Sequence, residues 1–409
     1  MAEEKIVLDE QLLDYLRTYV RDLNLKDPEF YITKACNKGD NFVGLVYRVK
    51  IEGIENGKAK SVHVILKTPR LDTSTDVTQS INLYEREIFF YQEILPIFKE
   101  TLKKHGGIAD LFPTFYGANN EPGKEILILE NLMVKGFTMK SLRIMDYPHV
   151  SLALRCLGEF HAYSFITRAA DPISFNKLKE MKEPLFSRIL NYERDEYIIN
   201  VCNIIGKALI DEKKYYLERY QQFTDNIRRN MNDVIDGNAA EPYAVVNHGD
   251  AWTNNILYKY DQKSQERSQE KKPCDLRFLD FQICRYASPV LDIVYLLFCC
   301  CTQETRSKYY DQLIDEYYET LSKCLERCGY DSNILFPYEV LSKHFTKFGK
   351  YAAGMAIFTL HIFTDNKGEY TDIESTRNYK KMEERVQNDS FYRYMIKGTF
   401  KDLVDKNYI

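Results

Sequence analysis

Two apolar runs in this chain end on acids thirty residues apart, and that pairing constrains the fold more than any other feature. Val245-Val246-Asn247 leads into His248-Gly249-Asp250-Ala251-Trp252-Thr253-Asn254-Asn255, and Ile256-Leu257-Tyr258 leads out. The segment Phe278-Leu279-Asp280-Phe281-Gln282 again carries an acid at the end of an apolar strand. Short apolar runs bounded by polar turns read as buried strands. The turn between the first two strands exposes Asp250 and Asn255, and Asp280 stands at the end of another.

The chain around these segments divides by pattern. Leu8, Leu12, Leu16, Tyr19, Val20 and Leu23 recur at helical spacing, with Asp9 as cap. Tyr47, Val49 and Ile51 alternate with Arg48, Lys50 and Glu52, which predicts a strand. Asn56-Gly57 fits a tight hairpin turn, because both residues tolerate positive φ, and 62–67 is the return strand. Residues 81–98 carry Ile81, Tyr84, Ile88, Tyr91 and Leu95 on one side of a helix that Pro96 limits or bends. Residues 125–130 read as a short buried strand. After residue 133 helical patterns dominate, at 150–168, 193–210, 213–235, 307–328 and 337–363. A β segment at 244–281 lies among them, broken by an apolar-free stretch, 261–272, that reads as a solvated hairpin loop.

Length supports two units. A chain of 409 residues exceeds the roughly 250–300 at which one core stops growing. The boundary falls near 131–136, giving units 1–132 and 133–409. Fifty-six basic against 60 acidic residues leave a net charge of -4, which argues against a nucleic-acid binder. The longest apolar stretch, 293–301, is too short to span a bilayer, and the acidic start lacks a signal-peptide pattern. The ten cysteines include no C-x-x-C pair, so zinc is not expected, and reduced thiols in a cytoplasmic protein are.

One chemistry uses an Asp, an Asn five residues later and a second Asp at a strand end. Phosphoryl transfer needs a carboxylate to orient the acceptor hydroxyl, and oxygen ligands for Mg²⁺. Asp250 suits the first task; Asn255 and Asp280 suit the second. A His-x-Asp alone carries little information, and the matched Asp-Phe-Gln is what makes the set specific.

The longer pattern is His-Gly-Asp-x-Trp-x-x-Asn, then Leu-Asp-Phe-Gln, then Ser288-Pro289-Val290-Leu291-Asp292. It resembles the ecdysteroid kinase-like family, among the protein-kinase-like small-molecule phosphotransferases that include aminoglycoside phosphotransferases and choline kinases. The similarity runs over roughly residues 30–390. The resemblance implies an α+β, bilobal protein-kinase-like fold. Its small N-lobe is β-rich with one key helix, and its larger C-lobe is mainly helical. It also implies ATP and Mg²⁺ as cofactors and, as acceptor, a hydroxyl of an ecdysteroid or another apolar hydroxylated metabolite.

The same resemblance assigns the remaining residues. The stretch from Gly39 to Gly44, with Asn41 inside it, is similar to the nucleotide-covering loop, although it has two glycines where protein kinases have three. Lys67 stands where the family's strand lysine holds the α/β-phosphates and pairs with a helix glutamate. Glu85 and Glu87 are the candidates for that glutamate. Glu87-Ile-Phe-Phe-Tyr91 resembles the family's Glu-Ile-x-Phe-Tyr and favours Glu87. The strand through Glu130 and Leu132 looks like the hinge between lobes, whose backbone would bond adenine; it also reads as a plain core strand. By resemblance Asp250 is the base and His248 braces its loop. Asp292 accepts backbone N–H bonds from that loop, since a carboxylate inside an apolar run needs partners. His161 reads as a packing and hydrogen-bonding residue.

Three rivals follow. One is a choline- or aminoglycoside-type kinase, and another a catalytically silent binder of ATP or steroid. The third is a protein kinase, disfavoured because Ser288-Pro289 follows Asp280 too soon for a peptide platform. No obligate protein partner is evident.

Overall fold

The computed structural model describes residues 10–22, 24–35, 44–69, 83–181, 195–261, 272–365, 368–370 and 373–409. Asp9 and most of the charged stretch 261–272 lie outside the described residues.

Helix α1 (Glu10–Asp22) is followed by strands β1 (Lys26–Lys34), β2 (Gly44–Glu55) and β3 (Lys58–Pro69). The β2–β3 turn is tight because Asn56 and Gly57 both take left-handed φ values, 51° and 78°. Helix α2 (Leu83–Phe89) runs through a π-helical turn (Phe90–Ile94) into α3 (Leu95–Lys104). Strands β4 (Phe115–Asn119) and β5 (Ile126–Glu130) complete an antiparallel sheet of order β1-β2-β3-β5-β4. All of β5 is buried, and its period of two serves two cores. Ile126 and Ile128 pack with Leu12, Leu16 and Val20 of α1. Leu127 and Leu129 belong to the larger core.

Pro96 does not end the helix. It occupies the first turn of α3, where a missing N–H is harmless. The π turn before it lets Leu95 N–H donate to Phe90 O, five residues back.

The rest of the chain is mainly helical. Strand β6 (Thr138–Met139) precedes helices α4 (Tyr147–Ala170), α5 (Pro172–Leu178), α6 (Asp195–Lys207), α7 (Lys214–Thr224) and α8 (Ile227–Ile235). Strands β7 (Val245–Asn247), β8 (Ile256–Tyr260), β9 (Pro273–Phe278) and β10 (Arg285–Ala287) form two small sheets, β10-β7 and β6-β8-β9. Then come α9 (Val290–Cys300), α10 (Gln303–Arg327), α11 (Ser332–Leu335), α12 (Tyr338–Phe348), α13 (Tyr351–Phe363), α14 (Ile373–Thr376), α15 (Tyr379–Asn388) and α16 (Ser390–Asp405).

Two expected helices are each broken. The 213–235 pattern splits into α7 and α8 at Asp225-Asn226, side chains that compete with the helix for backbone hydrogen bonds. The 337–363 pattern splits into α12 and α13 at Gly349, where a Cβ would lie 2.5 Å from Phe345 O and 2.7 Å from the Tyr408 ring. Helix α9 is buried on every side, as its composition, apolar except for Asp292, requires. Cys299 and Cys300 sit in it as small buried side chains. Among the described residues no helix is long and apolar enough to cross a membrane.

Candidate active site

Lys67 lies in the middle of the sheet, paired in register with Val46 of β2 and Leu127 of β5. Its Nζ is 2.6 Å from Glu87 Oε2 and 3.4 Å from Asp280 Oδ1. Burial opposes the ammonium charge, but Asp280 and Glu87 more than offset it and hold the Lys67 pKa above its ordinary value. Burial pushes the Glu87 carboxyl up to about 7, against the pull of Lys67. Leu83, Tyr84, Glu87 and Ile88 form the inward face of α2, and Glu85 is exposed.

Asp292, on α9, organises the loop after β7. It accepts His248 N–H at 2.6 Å through Oδ2 and Gly249 N–H at 2.9 Å through Oδ1. His161 Nε2 is 3.2 Å from the same carboxylate, and its Nδ1 is 2.8 Å from Tyr317 Oη. Burial works against the Asp292 charge, yet His161, His248 and the loop N–H groups bring its pKa below the ordinary value. Gly249 has φ 84°, and a Cβ there would lie 2.1 Å from Ile283 O, so the loop requires glycine. His248 Nε2–H donates to Leu279 O at 2.9 Å, and Nδ1 accepts Asp250 N–H at 3.2 Å. That pattern fixes one neutral tautomer, and burial keeps the ring's pKa low. His248 thereby ties the loop to the strand end that carries Asp280.

Both Asp250 oxygens are engaged. Tyr295 O–H donates to Oδ1 at 2.7 Å, and Asn255 Nδ2–H donates to Oδ2 at 2.9 Å. Burial raises the Asp250 pKa to about 6, with these donors acting in the opposite sense. Asn255 closes a 3-10 turn (Thr253–Asn255), and its carbonyl accepts Leu279 N–H at 2.8 Å, which ties β9 to the loop. Asp280 takes φ 66°, a left-handed conformation uncommon for a residue with a side chain. Its buried Oδ1 makes no hydrogen bond among the described residues and has only the ionic contact with Lys67.

Lys67, Glu87, Asn255 and Asp280 line a cleft of about 190 Å³, and Asp250 adjoins it through its hydrogen bond with Asn255. Val46 and Ile65 line it from the sheet, and Leu257 and Leu279 from the other side. Lys67, Asp280 and Asn255 share it, as do Glu130 and Leu132. The Glu130 carboxylate is committed elsewhere: it accepts Thr114 N–H at 3.2 Å and Thr114 O–H at 2.9 Å, and pairs with Lys135. Leu132 begins a 3-10 turn (Leu132–Lys135), so its N–H is of the kind a helix start leaves without an internal partner.

Gly44 has a different surrounding from the one its motif implied. It opens β2, and a Cβ there would fall 1.6 Å from Tyr84 Oη, whose O–H donates to Thr68 O at 2.8 Å. The glycine makes room for a tyrosine. Gly39 and Asn41 lie outside the described residues.

Two side chains that motif reading passed over, Tyr295 and Arg285, belong to the site, and Phe281 of the Asp-Phe-Gln motif joins them. Tyr295 holds Asp250; its place three residues after Asp292, on one helix face, was the available signal. Arg285, wholly buried, donates to Tyr351 Oη at 2.8 Å, and its Nη2 is 3.5 Å from Gly249 O. No sequence pattern marked it. Phe281 stacks on Phe90 at 3.8 Å and lies 4.5 Å from the His248 ring. It joins the helix of Glu87 to the loop of Asp250.

A sheet lysine paired with a helix glutamate, facing an Asp/Asn loop and a strand-end Asp, defines a protein-kinase-like α+β bilobal fold. The ecdysteroid kinase-like family model matches residues 38–330, and the chain belongs to that family. It is a small-molecule phosphotransferase. Among solved structures, the chain is similar to a candidate aminoglycoside phosphotransferase from Ralstonia eutropha (11% identity, 91% of this chain and 98% of that one, TM-score 0.35). It is also similar to the GDP complex of aminoglycoside 2'-phosphotransferase-IIIa (11% identity, 85% and 99%, TM-score 0.35). A third is aminoglycoside-3'-phosphotransferase of type VIII (14% identity, 82% and 99%, TM-score 0.28). No curated protein matches the chain.

Proposed function

We propose that this kinase transfers the γ-phosphate of ATP to a hydroxyl of an apolar hydroxylated metabolite of the ecdysteroid type. The observation that carries the reading is that Lys67, Asp280 and Asn255 line one cleft, with Asp250 hydrogen-bonded to Asn255. The family supports the acceptor class. In this reading residues 1–132 form the N-lobe and 133–409 the C-lobe, with ATP between them. A cytoplasmic location is part of the proposal and fits a chain whose described cysteines are all free thiols.

The apolar pairs Val46/Ile65 and Leu257/Leu279 would enclose the adenine, with the Leu132 N–H as a backbone donor at its edge. Lys67, kept protonated by Glu87 and Asp280, would hold the α/β-phosphates. The residues fit Mg²⁺. Asp280 Oδ1 is a buried oxygen with no hydrogen bond, and Asn255 spends its amide nitrogen on Asp250, leaving its oxygen as a second hard donor. Mg²⁺ would neutralise charge on the phosphates. Asp250 would accept the acceptor's hydroxyl proton as that oxygen bonds to the γ-phosphorus. The bond from γ-phosphorus to the β–γ bridging oxygen breaks, and ADP leaves.

The test uses Mg²⁺, γ-labelled ATP and a panel of alcohols containing an ecdysteroid, choline and an aminoglycoside. The expected result is label on the ecdysteroid, and a loss of at least about 10³-fold in Asp250→Asn with ATP affinity nearly unchanged. Undiminished transfer by Asp250→Asn would remove Asp250 from the chemistry. Label on choline or the aminoglycoside alone would replace the acceptor class.

A further inference from the structure

Helix α9 reaches the loop around Asp250 at two points. Asp292 holds the backbone of His248 and Gly249, and Tyr295, three residues on and on the same face, reaches the carboxylate of the next residue. Tyr295 is 1% exposed, so its hydroxyl has little water to fall back on. Burial, and after it the neighbouring Asp250, raise the phenol's pKa well above its ordinary value, so the O–H stays a donor. Asn255 donates to the other oxygen from a different element. Two donors on two oxygens fix the rotation of a carboxylate that one donor would leave free to swing.

The Tyr295 ring is itself braced. It lies 5.9 Å from Phe363 at the end of α13, and Phe363 stacks at 4.3 Å on Trp252, two residues beyond Asp250. The phenol is therefore flanked by Phe363, which is itself stacked on the loop whose carboxylate the phenol grips.

We propose that Tyr295 is a positioning residue for phosphoryl transfer: its hydroxyl sets the rotation of the Asp250 carboxylate toward the acceptor alcohol. The inference rests on the reading of Asp250 as the group that orients the acceptor. A hydrogen bond that merely satisfied a buried carboxylate would support the fold alone. Its loss would lower stability and leave the rate per folded enzyme untouched. A positioning bond acts on turnover, and only while Asp250 is present.

Tyr295→Phe removes the oxygen and keeps the ring against Phe363. Steady-state transfer is measured for the parent and Tyr295→Phe on the alcohol that the parent phosphorylates, together with KM for ATP and the melting temperature. Hydrogen bonds to charged groups contribute enough that kcat should fall about 10- to 100-fold, with KM for ATP within about twofold. In the Asp250→Asn background the same change should leave the residual rate unaltered, because the group being positioned is gone. Unchanged kcat in Tyr295→Phe would overturn the proposal, as would an equal loss in the Asp250→Asn background. So would a fall in Tm without a fall in kcat. A parent that phosphorylates no alcohol would instead sink the functional reading itself, so the two failures are distinguishable.

Discussion

Glu87 is a wholly buried carboxylate and Asp250 a partly buried one, and the chain treats them differently. Glu87 meets an ammonium at 2.6 Å. Asp250 meets a phenol and an amide, two neutral donors. An ammonium compensates charge and locks a pair in place. Neutral donors orient the carboxylate without tying it to a cation, so it can still accept a hydrogen bond from an acceptor hydroxyl. The first arrangement suits a scaffold that holds a nucleotide; the second suits chemistry. Asp280 stands between them, in contact with Lys67 and tied through Leu279 to both His248 and Asn255.

Breaking the link between the two should have the largest effect. Asp280→Ala removes an anion beside Lys67 and the buried oxygen proposed for Mg²⁺. Transfer of label from γ-labelled ATP should fall at least about 10³-fold, and calorimetry should show that Mg²⁺ no longer improves ATP affinity. The two carboxylates separate next, in stability. Lys67→Met leaves Glu87 buried beside Asp280 with no cation, which should cost about 3–5 kcal/mol in urea unfolding. Asp250→Asn should cost nothing at neutral pH, because folding already raises the Asp250 pKa to about 6 and so disfavours its charge.

The pH profile sharpens the same contrast. With Asp250 titrating at about 6 in the fold, its ionised form is lost as pH falls through that value, and kcat/KM should drop about tenfold per pH unit below it. Lys67, its pKa raised by Asp280 and Glu87, stays charged across this range and should add no limb. The smallest effect belongs to the proposed hinge. Glu130→Gln keeps an acceptor for Thr114 and leaves the backbone in place, so ATP affinity by calorimetry should change less than about threefold.

Much of the fold was legible because it is written locally. The alternation of Tyr47, Val49 and Ile51, then Asn56-Gly57, predicts a hairpin, and the positive φ pair at that turn is what such residues permit. Helix continuity was less legible. Periodicity spans Asp225-Asn226 and Gly349 without registering that tertiary crowding or side-chain competition interrupts the backbone there. Pro96 misled in the other direction, since a π turn absorbs what a regular helix could not. At the candidate site the resemblance singled out Lys67, Glu87, Asp250, Asn255 and Asp280, which line or border one cleft. It passed over Tyr295 and Arg285, whose contacts with the loop join residues 45 and 36 positions apart. No spacing rule encodes a contact of that kind. Gly44 shows the converse: a motif position whose glycine answers to Tyr84 packing.

If this cleft moves phosphate from ATP to an alcohol, the product gains the mass of one phosphate. Hydroxylated metabolites, ecdysteroids among them, are incubated with the intact protein, ATP and Mg²⁺ and analysed by mass spectrometry. The expected product is an ecdysteroid-type alcohol heavier by one phosphate, formed only with Mg²⁺ and absent with Asp250→Asn. ATP binding by thermal shift, with no phosphorylated product from any alcohol, would contradict phosphate transfer and leave a silent nucleotide binder.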